Sequence, residues 1–157
     1  MKNFHYHDFL KLAKQLFSDT NYQNEASIRT VIGRSYYSAF LHAREFVKNI
    51  LEKLDPNLHQ EFEQHILPKG IVHTCVRKII KTINLKLGYK LGNLSNLRIN
   101  ADYNITSTIE KQKAEEAIQL AEELITQINT QLTTLFKRKI EKIKSIMQSE
   151  LQKVKKT

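Results

Sequence analysis

Apolar positions recur at intervals of three and four along this chain, the period of a helix with one buried face. Phe9, Leu12, Ala13, Leu16 and Phe17 mark a first helix, which ends at the polar run SDTNYQN. A second helix is predicted from about Glu25 to Leu54, with Ile28, Ile32, Tyr36, Ala39 or Phe40, Ala43, Val47, Ile50 and Leu54 on one face. Asp55-Pro56 should stop it, because the residue before proline is pushed out of the helical region. A shorter helix is expected between Asn57 and Leu67, closed by Pro68 and Gly70. A third main helix covers roughly Ile71 to Leu87. Gly88 and Gly92 are then expected to open a loop or short helical turn that carries "LRINADYNI", Leu97 to Ile105.

Ser107-x-x-Glu110 reads as a capping box for the next helix. That helix shows Ala114, Ala117, Ala121, Leu124, Ile128, Leu132 and Leu135 on one side. Thr130, Thr133 and Thr134 lower helix propensity and mark the expected bend. Beyond them Phe136, Ile140, Ile143, Met147, Leu151 and Val154 form a second apolar stripe among lysines. The sequence contains only four glycines and two prolines, none after Gly92, which is the punctuation of an all-α protein. The expected architecture is a four- or five-helix bundle over residues 1–135, followed by a basic amphipathic helical extension over 136–157. For that extension, pairing with a partner or with a second copy through the stripe is the preferred reading.

A length of 157 residues suits one domain with a real core. No run is long enough to span a bilayer, and MKNFHYHDFL lacks the apolar core of a secretion signal. The single cysteine, Cys75, cannot form an internal disulfide, so a cytoplasmic protein is expected. The net charge of +9 favours an anionic partner, but +6 of it lies after Leu135. Basicity is therefore concentrated in the tail.

Three segments carry chemistry: "RSYYSAFLHARE" (Arg34 to Glu45), "VHTCVRKII" with His73, and "LRINADYNI" with Arg98, followed by the Ala- and Glu-rich "EKQKAEEAIQLAEELI". In this order and spacing they resemble the HEPN family, the higher eukaryotes and prokaryotes nucleotide-binding domain. The resemblance covers about residues 5–130. It implies a four- or five-helix bundle that forms a homodimer near the Arg motif. It also implies an association with RNA or a nucleotide, in a toxin–antitoxin or antiviral defence setting. Metal-independent endoribonuclease activity is common in that family. So is pairing with a small nucleotidyltransferase or an effector complex, and a non-catalytic module of that kind is the alternative. The chain departs from the usual Arg-x4-6-His signature, because Tyr103 stands where the His is expected after Arg98.

Metal-free RNA cleavage needs a proton acceptor, a proton donor and a cation for the phosphorane. Histidine suits the first two tasks and arginine the third. Arg98, Tyr103 and His73 are thus the catalytic candidates, with His73 either supplying the base or capping a helix. Tyrosine, with an ordinary pKa of about 10, is a poor base near neutrality. Arg34, Tyr37 and Arg44 share a basic and aromatic face of the second helix, and they and Asn100 are the candidate nucleic-acid ligands. Asp102 reads as a structural acceptor for Arg98. His5-Tyr6-His7-Asp8 lacks zinc-site spacing, and no metal or cofactor is expected.

Overall fold

The computed structural model describes residues 4–156, and among them there is no strand. The protein is all-α. Its helices are α1 (His7–Ser18), α2 (Glu25–Leu54), α3 (Pro56–Glu61), α4 (Ile71–Ile83), α5 (Leu85–Tyr103), α6 (Lys111–Gln127), α7 (Thr133–Leu135) and α8 (Ile140–Lys155). No helix among the described residues is long and apolar enough to cross a membrane.

Local chemistry explains most of the boundaries. At the end of α2, Asp55 is extended (φ −163°, ψ 106°), and its side chain accepts from Asn57 N at 2.9 Å. Pro56 takes the first position of α3, where no amide donor is needed. The threonine-rich segment breaks regularity as expected: a π-helical turn spans Ile128–Leu132, and a 3₁₀ turn follows at Phe136–Lys139. There Thr133 Oγ1 donates to Asn129 O at 3.1 Å, competing with the helical backbone ladder.

Four expectations need correction. First, α4 ends at Ile83 rather than Leu87, because Asn84 is extended and its side chain accepts from Leu87 N at 3.2 Å to start α5. Second, Gly88 and Gly92 do not open a loop; α5 runs helically through both and carries Leu97 to Tyr103. A Cβ on Gly88 would stand 2.3 Å from Lys81 Cβ and 2.4 Å from Lys81 Cα, so this glycine permits two helices to touch. Third, α6 begins at Lys111, beyond the Ser107 start that the capping box suggested. Fourth, Leu12 is 43% exposed while Leu10 and Ala13 are the buried positions of α1. The buried face is rotated from the one read off the apolar spacing.

The chain forms two compact units, each threaded by parts of α2 and α5. The first comprises Met1–His42 and Lys90–Thr126. Its core holds Ala13, Ile32, Tyr36, Ala39 and Leu94, with Ala114, Ala117, Ala121 and Leu124 of α6. The alanines allow neighbouring helices to approach closely. The second unit comprises Ala43–Tyr89 and Gln127–Thr157. Here Val47, Leu51, Phe62, Ile66, Val76 and Ile79 are buried, as are Ile143, Met147 and Leu151 of α8, which packs on α4 and on the Phe62–Ile66 turn. Burial of each large aliphatic side chain is worth about 1.5–3 kcal/mol. The stripe after Phe136 is thus core rather than a free face for a partner or a second copy: Cys75 Sγ donates to Met147 Sδ at 3.8 Å.

Candidate functional site

The first unit brings the α2 and α5 segments of the sequence motifs together. Arg98 Nη2 donates to Tyr37 Oη at 2.8 Å. Its Nε lies 3.1 Å from Asp102 Oδ2, one helical turn along α5. The Nε hydrogen does not point at the carboxylate, so this contact is an ion pair rather than a hydrogen bond. The Arg98 Cζ is 5.4 Å from the ring centres of both Tyr36 and Tyr37, and 5.9 Å from that of Tyr103. Each distance is within reach of a cation–π attraction.

Burial works against the Arg98 charge. The Tyr37 hydrogen bond and the nearby Asp102 outweigh that effect and raise its pKa above the ordinary arginine value. The guanidinium is therefore held charged, with its side chain only 15% exposed. Its aromatic support is itself fixed: Tyr36 is buried, stacks on Phe40 at 5.7 Å and meets Tyr37 edge-on at 5.4 Å. Arg34 lies close by in the same unit, with its Cζ 4.9 Å from the Phe9 ring centre. Phe9 in turn faces Tyr37 at 6.5 Å.

Arg29 fixes the end of α5 and was missed in the sequence. Its Nη1 donates to Ala101 O at 2.6 Å, and its Nη2 to Asn104 O at 3.0 Å and Ser107 O at 2.8 Å. Glu25 Oε1 accepts from the same guanidinium at 2.6 Å and 3.0 Å. A cation at a helix C-terminus also complements the carbonyl end of its dipole. The signal in the sequence was the Glu25–Arg29 spacing of one helical turn, which alone looks like an ordinary surface pair.

The other candidates lie as follows. Tyr103 is 71% exposed, and exposed Ile99 and Ile105 flank it in sequence. Asn100 is exposed and, with Ile32, Leu97, Thr108, Ile109, Glu110 and Lys113, lines a cavity of about 240 Å³. Arg44 belongs to the second unit and donates to Glu45 Oε1 at 3.1 Å. His73 is half-buried on α4, also in the second unit. Every group described above around Arg98 comes from the first unit, and no histidine is among them.

The N-terminal histidines form an aromatic cluster instead. His5 and His7 stack at 4.8 Å, and His42 meets Tyr6 at 5.1 Å and His7 at 5.7 Å. Burial, then His5 and Lys11, push the His7 pKa down. Among the described residues no group of three or more His, Cys, Asp or Glu side chains is placed to hold a metal.

The arrangement suits anion recognition better than proton transfer. Arginine offers a fixed fork of charged donors, and the exposed Tyr103 ring offers a stacking surface. No family model matches the chain, and no solved structure matches it. The chain is 30% identical over 143 residues to the uncharacterized protein MJ0992 of Methanocaldococcus jannaschii, an alignment covering 82% of this chain and 78% of that protein. With that identity over most of both lengths, the chain belongs to the same family as this archaeal protein.

Proposed function

We propose that the protein is a HEPN-type module that binds RNA or a nucleotide through Arg98, in a toxin–antitoxin or defence setting. The observation that carries this reading is the hydrogen bond between Tyr37 of "RSYYSAF" and Arg98 of "RINADY". Two motifs that only sequence order had linked supply the two sides of one charged, aromatic-lined group. Binding is favoured over hydrolysis because a phenol at position 103 is a weak substitute for the expected histidine base.

The test is equilibrium binding of RNA oligonucleotides and mononucleotides to the full chain, with chelator present and intact RNA checked on a gel. Loss of a charge-assisted phosphate contact is worth about 1.5–3 kcal/mol, so Arg98→Ala should weaken binding roughly tenfold to a hundredfold. A chain that binds neither ligand, or an Arg98→Ala variant that binds as well as the parent, sinks the proposal. RNA cleavage that is lost with Arg98→Ala would instead favour the endoribonuclease reading.

A second reading has its own support. Ile99, Tyr103 and Ile105 are 47%, 71% and 84% exposed, an apolar group that suits a protein partner such as a nucleotidyltransferase, an effector-complex subunit or a second copy. Ile99→Glu with Ile105→Glu should abolish co-purification of such a partner or shift the oligomeric state. If both stay unchanged, this second reading is wrong.

A further inference from the structure

Charge is divided unevenly between the two units. The first holds nine Lys or Arg and nine Asp or Glu, a net of zero. The second holds sixteen Lys or Arg against seven Asp or Glu, so the whole net charge of +9 belongs to it. Only part of that excess lies in the tail after Leu135; the rest comes largely from the segment between Pro68 and Tyr89.

Much of this charge is unneutralised. Among the described residues, Arg77, Lys86, Lys137, Arg138, Lys142 and Lys144 take part in no ion pair. Four of the seven acids of the second unit are committed elsewhere: Glu45 to Arg44, Glu63 to Lys48, Glu61 to Lys155, and Glu150 to Lys78 and Lys153. The elements carrying the free cations pack on one another, with α4 against both α8 and the Phe136–Lys139 turn. Lys81 adds an aromatic partner. Its Nζ lies 4.5 Å from the ring centre of Tyr89, which is 56% exposed, and Gly88 lets α5 come close enough to α4 for this contact.

From these features we infer that the second unit carries a docking surface for single-stranded nucleic acid, separate from Arg98 and independent of the function proposed for it. The lysines and arginines of α4, α8 and the turn before α8 contact the phosphates, and Tyr89 offers a ring on which a base stacks. Charge complementarity selects the occupant, and two competitors fit less well. A bilayer surface needs an amphipathic helix with a free apolar face, and the apolar face of α8 is core. Protein interfaces are depleted of lysine at their centres, whereas lysine dominates here.

The experiment measures binding of a labelled oligouridine RNA to the full chain by fluorescence anisotropy across a potassium chloride series. The comparison variants are Lys137→Glu/Arg138→Glu/Lys142→Glu, Tyr89→Ala and Arg98→Ala. Each lost phosphate contact on a single strand flattens the log–log salt slope by about 0.7, so the triple variant should flatten it by about 2. It should also bind at least tenfold more weakly at low salt, with unchanged thermal melting because the three side chains are exposed. Tyr89→Ala should weaken binding roughly fivefold to a hundredfold with the slope preserved.

Parent-like slope and affinity in the triple variant overturn the inference. So does tighter binding to phosphatidylserine vesicles than to RNA. Loss of all salt-dependent binding in Arg98→Ala alone also overturns it while leaving the Arg98 proposal standing. The reverse pattern, an effect of the triple variant and none of Arg98→Ala, keeps this surface and removes that proposal.

Discussion

The Tyr37 hydroxyl accepts a 2.8 Å hydrogen bond from Arg98 Nη2, joining α2 to α5 across 61 residues of chain. Tyr37→Phe removes the acceptor and leaves a donor on a side chain that is only 15% exposed. A stranded charged donor costs about 1–2 kcal/mol, which should lower the melting temperature by about 2–6 °C in a chain of this size. Asp102→Asn should cost less, about 0–1 kcal/mol, because Asp102 is 37% exposed and its contact with Nε is poorly aligned. Thermal melts of the two variants check the order. A larger loss for Asp102→Asn would mean that the ion pair, not the tyrosine, holds the guanidinium.

Arg29 should be more sensitive than Arg98 to substitution. Arg29→Ala frees three carbonyl acceptors at the end of α5 and breaks the pair with Glu25, for an expected loss of about 2–4 kcal/mol. Arg29→Lys should recover less than half of that, since one ammonium cannot replace a fork that reaches Ala101, Asn104 and Ser107 together. Urea unfolding gives both values. Equal stability of the lysine variant and the parent would show that charge alone, through the helix dipole, accounts for the effect.

How legible these features were depended on whether their cause was local. Asp55-Pro56 and the threonines near residue 133 act on their own backbone, so their consequences could be read directly. Gly88 looked like the same kind of punctuation, but the reason for it is Lys81 on another helix. Arg29 was invisible because its acceptors are backbone carbonyls 72 to 78 residues away, which leave no mark on residue identity. The stripe from Ile143 to Val154 is legible as an apolar face, but its packing within the chain, in place of the expected partner or second copy, is not, since periodicity says that a face is buried but not against what. The Arg98 site lies between these cases. Motif order named Arg98 and Tyr37 separately, and only the packing of α2 on α5 puts them in contact.

Two mid-helix glycines should respond oppositely to alanine. At Gly33 an added Cβ would meet nothing closer than Asp102 Oδ1 at 3.8 Å, an ordinary contact. Gly33→Ala should therefore gain about 0.5–1 kcal/mol from helix propensity. At Gly88 the Cβ would strike the Lys81 Cα and Cβ, which cannot swing aside. Gly88→Ala should lose at least about 2 kcal/mol despite the same propensity gain, because α4 and α5 must separate. Chemical denaturation of both variants tests the pair. A stabilised Gly88→Ala protein would show that the two helices are not in close contact.

Glu150 is a carboxylate with a side chain 2% exposed, held by Lys78 Nζ at 2.5 Å and Lys153 Nζ at 2.8 Å. Burial favours its neutral form, but the hydrogen bonds from Lys153 and Lys78 outweigh burial and hold its pKa below the ordinary glutamate value. A folded-state pKa below the unfolded one means that folding favours the ionised group. Its contribution is complete above the unfolded value of about 4.3 and is lost as the pH falls through the folded value. Glu150→Gln should be less stable than the parent by about 1–2 kcal/mol at pH 7. That is below the about 3–5 kcal/mol of a fully buried pair, because Lys78 and Lys153 are 42% and 53% exposed and can return to water. The difference should shrink as both proteins are acidified below about pH 4. A gap that stays constant with pH would mean that shape, not charge, accounts for the residue.

Cys75 reports on the same part of the second unit. Its thiol is fully buried, and burial, followed by the negative charge of Glu150, pushes its pKa up to about 12. Near pH 8 only on the order of one thiol in ten thousand is then ionised, and the thiolate is the form that alkylates. Iodoacetamide should therefore leave the native protein unmodified over hours and label it rapidly in strong denaturant, with mass spectrometry counting the adduct. Met147→Ala removes the side chain that contacts Cys75 Sγ at 3.8 Å and opens a cavity, at a cost of about 2–5 kcal/mol. Opening of the unit becomes more frequent by the same free energy, so labelling of this variant should accelerate where the parent stays inert. Native labelling as fast as in denaturant would mean that α8 does not cover α4 in solution. The stripe from Ile143 to Val154 would then again be an exposed face.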